Sequence, residues 1–190
     1  MECLLKRHTI LMVIAAMASI AAMGCKSNEA SPKEGNPPQG ESLHLAVKET
    51  IDLIKLRDPS MAKWFENAHG YAVFPGIGAG GLIIGGGFGA GEVYAGGNQI
   101  GTAKVSQLNV GATAGGQVTR QVIFFKDKPA LDSFTKGGFE FDAAASAVAI
   151  KSGAAASVGY NNGVAVFVMP KKGAMVQASL GTQRFAFTPM

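Results

Sequence analysis

From residue 42 onward the apolar positions follow two rhythms. In SLHLAVKETIDLIKLR they recur at helical spacing: Leu43, Ala46, Val47, Thr50, Ile51, Leu53 and Ile54 share one face, with His44, Lys48, Asp52 and Lys55 on the other. Leu45 and Leu56 fall off the stripe, and Ser42 is the expected N-cap. The polar face of this predicted helix, 42–56, is poor in cations, so it is expected to pack on the domain rather than lie in a membrane surface. Asp58-Pro59 then predicts a short second helix, MAKWFENAHG, with Asp58 as N-cap, Pro59 at the first helical position and Gly70 as the stop.

After Tyr71 the pattern turns to short apolar runs divided by glycine. YAVFP, GLIIGGGFGAGEVY, SQLNVGATAGGQVTRQVIFFK, AAASAVAI, ASVGY, GVAVFVMP, GAMVQASLG and TQRFAFT read as strands, with Asn161-Asn162-Gly163 as a hairpin turn. Only KPALDSFTK reads as a helix in this half, closed by Gly137-Gly138. Glycines inside strands mark bulges, bends or close backbone approach. The predicted fold is α+β: N-terminal helices, then a strongly curved, Gly-rich, mainly antiparallel sheet or half-barrel with one further helix.

The start of the chain has a different logic. Lys6, Arg7 and His8 precede an apolar run, Ile10–Met23, of 14 residues. That is shorter than the roughly 18–20 a spanning helix needs and has the form of an export signal. The run ends in Ala21-Ala22-Met23-Gly24-Cys25, which resembles a bacterial lipobox. Residues 1–24 are therefore expected to be a lipoprotein signal peptide, with Cys25 lipidated as the first mature residue and anchored by acyl chains (palmitate among them). Lys26 after the cysteine favours the outer membrane by resemblance to the enterobacterial sorting rule. Residues 25–41 are polar and rich in Pro and Gly, an expected flexible tether, leaving 42–190 as the folded domain.

Composition narrows the function. The chain has 26 glycines and only 16% charged residues, with a net charge of +4. Taking Lys6 and Arg7 from the 17 basic residues, and Glu2 from the 13 acidic ones, leaves +3. That mild bias suits an anionic lipid surface and falls far short of a nucleic-acid-binding stripe. Of the two cysteines, Cys3 lies in the signal, so the mature chain has no internal disulfide and no multi-thiolate zinc site. Gly76-Ile77-Gly78-Ala79-Gly80-Gly81 satisfies G-x-G-x-x-G, but LIIGGGFGAGE behind it is too rich in glycine to open the helix a dinucleotide needs. His44 and His69 read as surface or cap positions, and the acids Glu92, Asp127, Asp132, Glu140 and Asp142 are scattered. No catalytic residue, cofactor or metal is assigned.

The basic residues of the second half are the head-group candidates: Arg120, Lys126, Lys128, Lys171 and Lys172, the lysines lying in the expected turns KDK and PKKG. Each near-surface cation adds about 1 kcal/mol toward an anionic membrane.

The succession AHGYAVFPGIGAGGLIIGGGFGAGEVY, GGQVTRQVIFFKDKPALDSF, DAAASAVAIKSG and GAMVQASLGTQ, behind a helical lead-in, resembles the SYLF domain. That module is shared by bacterial lipoproteins and eukaryotic membrane–actin adaptors. The resemblance spans about 42–188 and implies binding to phosphoinositides or other anionic phospholipids; actin binding is not implied for an exported bacterial protein. The resulting expectation is a non-enzymatic, envelope-anchored phospholipid-binding lipoprotein. Two alternatives stay open: an envelope lipoprotein whose sheet docks a protein partner, and a carrier of a small apolar ligand.

Overall fold

The computed structural model describes residues 40–81, 84–110, 116–137, 140–142, 147–172 and 182–190. The expected signal, Cys25 and all of the tether except Gly40 and Glu41 lie outside them, as do the 173–181 strand and part of the 143–150 strand. Helices α1 (Glu41–Arg57) and α2 (Met61–Asn67) come first. Strands β1 (Gly70–Gly81), β2 (Ile84–Ala95), β3 (Asn98–Val110) and β4 (Gly116–Phe125) follow, then helix α3 (Lys128–Thr135). The chain finishes with β5 (Glu140–Asp142), β6 (Ala147–Ala149), a 3-10 turn at Ala154–Ser157, β7 (Val164–Lys172) and β8 (Thr182–Pro189). The eight strands form one open sheet ordered β5-β8-β3-β2-β1-β4-β7-β6, antiparallel except for the β6–β7 pair. The fold is α+β, with a mixed sheet.

Apolar runs explain the middle of this sheet. Ala72-Val73-Phe74, Val122-Ile123-Phe124-Phe125 and Val164–Val168 are buried without a polar break because both faces are covered. Alternate residues serve opposite sides. Phe74, Ile123, Phe125, Val166 and Phe185 pack with Leu131 and Phe134 of α3. Val73, Val122, Phe124 and Phe167 pack under Leu43, Val47 and Ile54 of α1 and Met61 of α2. Burying a side chain of this size stabilises by about 1.5–3 kcal/mol, so these rows fix the strand phase. On the α1 side, Trp64 closes the layer at 5.0 Å from the Phe167 ring and donates its indole N–H to the Ala155 carbonyl at 3.1 Å.

Several local expectations change. Helix α1 begins after Gly40, whose φ of 61° only glycine adopts easily, and Ser42 sits in its first turn. Its stripe is narrower than the wheel suggested: Leu43, Val47, Thr50 and Ile54 are buried, while Ala46, Ile51 and Leu53 are half-buried. Leu45 and Leu56 are exposed, as their place off the stripe implied. Asp58 ends α1 instead of capping α2, which starts at Met61 behind Ser60. Gly70 does not stop a helix. It opens β1, where a Cβ would come within 2.6 Å of the Tyr94 carbonyl oxygen.

The strand expected over SQLNVGATAGGQVTRQVIFFK is two strands, and β3 starts eight residues earlier, at Asn98. The segment ASVGY is no strand: Ala154–Ser157 form the 3-10 turn, held by Asp58 and Trp64. Asn162 and Gly163 do take left-handed angles, in a tight turn bridging Asn161 to Val164.

Candidate functional site

Helices α1 and α2 cover only part of their side of the sheet. Past Ala90 toward the start of β2, no described helix covers that side, and Phe88 is 70% exposed and Leu108 56% exposed. Residues directly opposite one another in antiparallel strands point to the same face, so the register gives the composition of this surface. Phe88 stands opposite Gly78 on β1 and Ser106 on β3; Gly78 in turn faces Val118 on β4, and Ser106 faces Arg184 on β8. Lys104 and Leu108 are the two diagonal neighbours of Phe88 on β3, each about 7–8 Å away. A cleft of about 340 Å³ opens at the same end, lined by Ser106, Gln107, Leu108, Thr182 and Arg184.

Glycine keeps this surface low. A Cβ on Gly78 would meet nothing within 4 Å, and one on Gly86 only ordinary contacts at 3.8 and 3.9 Å. Neither position lacks room for a side chain. On the opposite side of β2 a Cβ on Gly91 would lie 2.4 Å from the Val73 carbonyl oxygen, and one on Gly89 2.8 Å from that of Gly76.

The expected head-group residues divide into two groups. Arg120 is half-buried on the same side as Val118, opposite Met169. Lys171 is exposed, and the Cα of Lys172 stands opposite Val118. These two lysines end strand β7 instead of forming a turn, and a register shift between Val118 and Thr119 accommodates the extra residue. Lys126 and Lys128 lie past Phe125, which ends β4 about 23 Å from Val118 at 3.3 Å per residue. Lys128 is engaged by Asp132, 2.6 and 2.8 Å from its two carboxylate oxygens. That hydrogen bond, against weaker desolvation, holds the exposed Asp132 carboxyl below its usual range. Asp127 caps α3 by accepting the Ala130 N–H at 3.0 Å.

Lys104 was missed by the sequence reading. The alternation Ala103/Lys104/Val105/Ser106/Gln107/Leu108 carries the signal, but it is visible only once β3 is allowed to begin before Ser106. Lys104 and Lys171 are exposed and form no ion pair among the described residues.

Three buried polar groups are structural. Asp58 is 1% exposed and accepts the Ser60 N–H and hydroxyl, the Gly153 N–H and the Ala155 N–H at 2.7–3.1 Å. Burial opposes its ionisation, but these bonds outweigh it and hold the carboxyl below its ordinary value. Glu92, buried beneath α1, accepts the Tyr94 hydroxyl at 2.5 Å and contacts His44 Nδ1 at 3.1 Å. His44 is therefore a half-buried contact of α1 with the sheet rather than a free surface position. Burial, then the bond to Glu92, pushes the Tyr94 phenol up. Gln121 and Gln183 exchange amide bonds at 2.8 and 3.0 Å, and Gln183 also donates to Gln107 at 2.9 Å.

Residues 76–81 lie in β1, so the G-x-G-x-x-G run opens no helix. Among the described residues no group of three or more His, Cys, Asp or Glu is placed to hold a metal, and no helix is long and apolar enough to cross a membrane.

Residues 106–188 match the Ysc84 family, described as Las17-binding protein actin regulator. The match begins within β3 and ends within β8, so it includes Arg120, Lys171 and Leu108 but not Phe88 or α1. The chain is also similar to Beta cell expansion factor A of Aeromonas veronii, at 29% identity over 157 residues. That alignment covers 79% of this chain and 59% of the relative, so the chain spans less than two thirds of that protein's length. Helical lead-in, Gly-rich strands and family match agree: the resemblance to the SYLF domain is supported by the Ysc84 match over residues 106–188, a little under half of the chain.

Proposed function

We propose that this chain is a non-enzymatic envelope lipoprotein whose SYLF domain binds anionic phospholipid head groups, tethered by acyl chains on Cys25 and facing the outer membrane. The observation that carries the reading is the bare side of the sheet, where Phe88 and Leu108 stand exposed beside Lys104. Apolar groups flanked by cations match the boundary between acyl chains and phosphates. Lys171 and Arg120 extend the basic margin across β7 and β4. The family description names an actin regulator; with an export signal expected at 1–24, lipid is the partner adopted here.

We further read the sheet as curled about its α3 side. Gln121 on β4 and Gln183 on β8 are four strand steps apart, about 19 Å in a flat sheet, yet they hydrogen-bond at 2.8 Å. The close approaches at Gly89 and Gly91 lie on that inner side. The Phe88 side is then the outer, convex one.

The test is sedimentation of the Cys25→Ser chain with vesicles. Binding to phosphatidylglycerol-containing vesicles, and loss of most of it at 0.5 M salt, where the Debye length is ~4 Å, is expected. Equal, salt-insensitive binding to neutral vesicles contradicts a head-group role.

A further inference from the structure

We infer that the domain meets the bilayer through the bare sheet surface of β1, β2 and β3, with Phe88 and Leu108 entering the interface and Lys104 at head-group phosphate. Helix α1 and the lysines around α3 are not part of that contact. The inference rests on the phospholipid reading above and names its surface.

Three observations single this surface out. The first is contiguity. Phe88 and Leu108 are diagonal neighbours, so together they form one apolar patch. The other exposed leucines, Leu45 at 62% and Leu56 at 79%, are eleven residues apart on α1, about 16 Å along its axis. Isolated exposed leucines of that kind are ordinary. The apolar stripe of α1 itself is spent on the sheet, with Val47 and Ile54 fully buried.

The second is flatness. Gly78 and Ser106 flank Phe88 directly, and Gly86 stands opposite Leu108. A Cβ would be accommodated at both glycines, so packing does not demand them. Their effect is on the surface: the Phe88 ring stands above bare backbone, and a planar partner can descend to it without displacing side chains. A bilayer interface is planar in that sense.

The third is charge. Lys104 is diagonal to Phe88 and unpaired among the described residues, and Lys171 lies toward the opposite margin of the sheet. Arg184 lies in the Phe88 row on β8. By contrast, Lys128 is occupied by Asp132. An anionic bilayer is therefore the occupant whose shape and charge both fit.

The experiment compares Cys25→Ser chains carrying Phe88→Asp, Gly78→Glu, Lys104→Glu, Leu56→Asp or Lys126→Glu/Lys128→Glu. The probe is vesicles of equimolar phosphatidylcholine and phosphatidylglycerol, with melting temperature measured in parallel. Phe88→Asp and Gly78→Glu are expected to lower vesicle affinity by at least about tenfold, and Lys104→Glu by about fivefold, with unchanged melting temperatures. Gly78→Glu guards against misfolding, since the space at Gly78 is open. Leu56→Asp and the Lys126/Lys128 variant are expected to bind within about twofold of the parent. Folded Phe88→Asp and Gly78→Glu proteins that bind like the parent, while the Leu56 or Lys126/Lys128 variants lose binding, would place the lipid contact elsewhere and overturn the inference alone. A parent chain that binds no anionic vesicle overturns the phospholipid reading and the inference with it.

Discussion

The two sides of strand β2 use glycine for opposite ends. Gly89 and Gly91 face the α3 side, where carbonyl oxygens of β1 stand within 2.8 and 2.4 Å of any added Cβ. On the other side, with Phe88, a Cβ on Gly86 would make only ordinary contacts, and one on Gly78 of β1 would meet open space. The first pair lets strands and side chains approach closely; the second leaves a surface unfurnished. A glycine-rich strand is thus two records interleaved at period two, one of packing and one of what the surface meets.

The contrast gives an order of effects. Gly91→Ala is expected to be the most damaging, because the new methyl meets backbone and the Phe74 ring, neither of which yields cheaply. A loss of about 3 kcal/mol, read as a lower midpoint in urea, is expected; a wild-type midpoint would show that the strands part easily there. Asp58→Ala comes next, at about 2–3 kcal/mol, since it strips a partner from the buried Ala155 N–H and another from the part-buried Gly153 N–H. The same carboxylate sets an acid limit. Its folded pKa lies below the ordinary 3.8, so its contribution is present above that value and is lost as pH falls through the folded pKa. Wild-type melting temperature should fall more steeply below pH 4 than that of Asp58→Asn. Smallest are Gly78→Ala and Gly86→Ala, expected within about 0.5 kcal/mol of wild type or slightly stabilising. If either unfolds the domain, the two sides of the sheet do not differ as described.

The sequence made the covered part of the sheet legible and left the site largely hidden. Ala72–Phe74, Val122–Phe125 and Val164–Val168 read directly as strands because short continuous apolar runs between turn residues have few other uses. Helix α1 was visible to within a residue at each end, for the same reason of period. What was not visible depended on partners far along the chain. Asp58 looked like a helix cap because its ligands are 95 and 97 residues away, and Glu92 looked like a scattered acid because His44 is 48 residues away. Arg120, Lys171 and Lys172 stood out for charge, the lysines also for an expected turn; only the β4–β7 register brings them to one end of the sheet and puts Lys126 and Lys128 at the other. Phe88 drew no attention, since a phenylalanine among glycines reads as core until the register shows which side it takes. The candidates at Cys25 and in 173–181 lie outside the described residues.

Site-specific labelling reads the membrane-facing surface without removing Phe88. An environment-sensitive fluorophore is placed on Ser106→Cys, directly opposite Phe88, or on Ser133→Cys, exposed on α3, in a chain with Cys3 and Cys25 changed to Ser. On addition of phosphatidylglycerol vesicles the label at position 106 should shift to the blue and be quenched by brominated acyl chains, while the label at position 133 stays in water. A label at 133 that enters lipid while 106 remains hydrated would contradict the bare sheet face as the membrane contact.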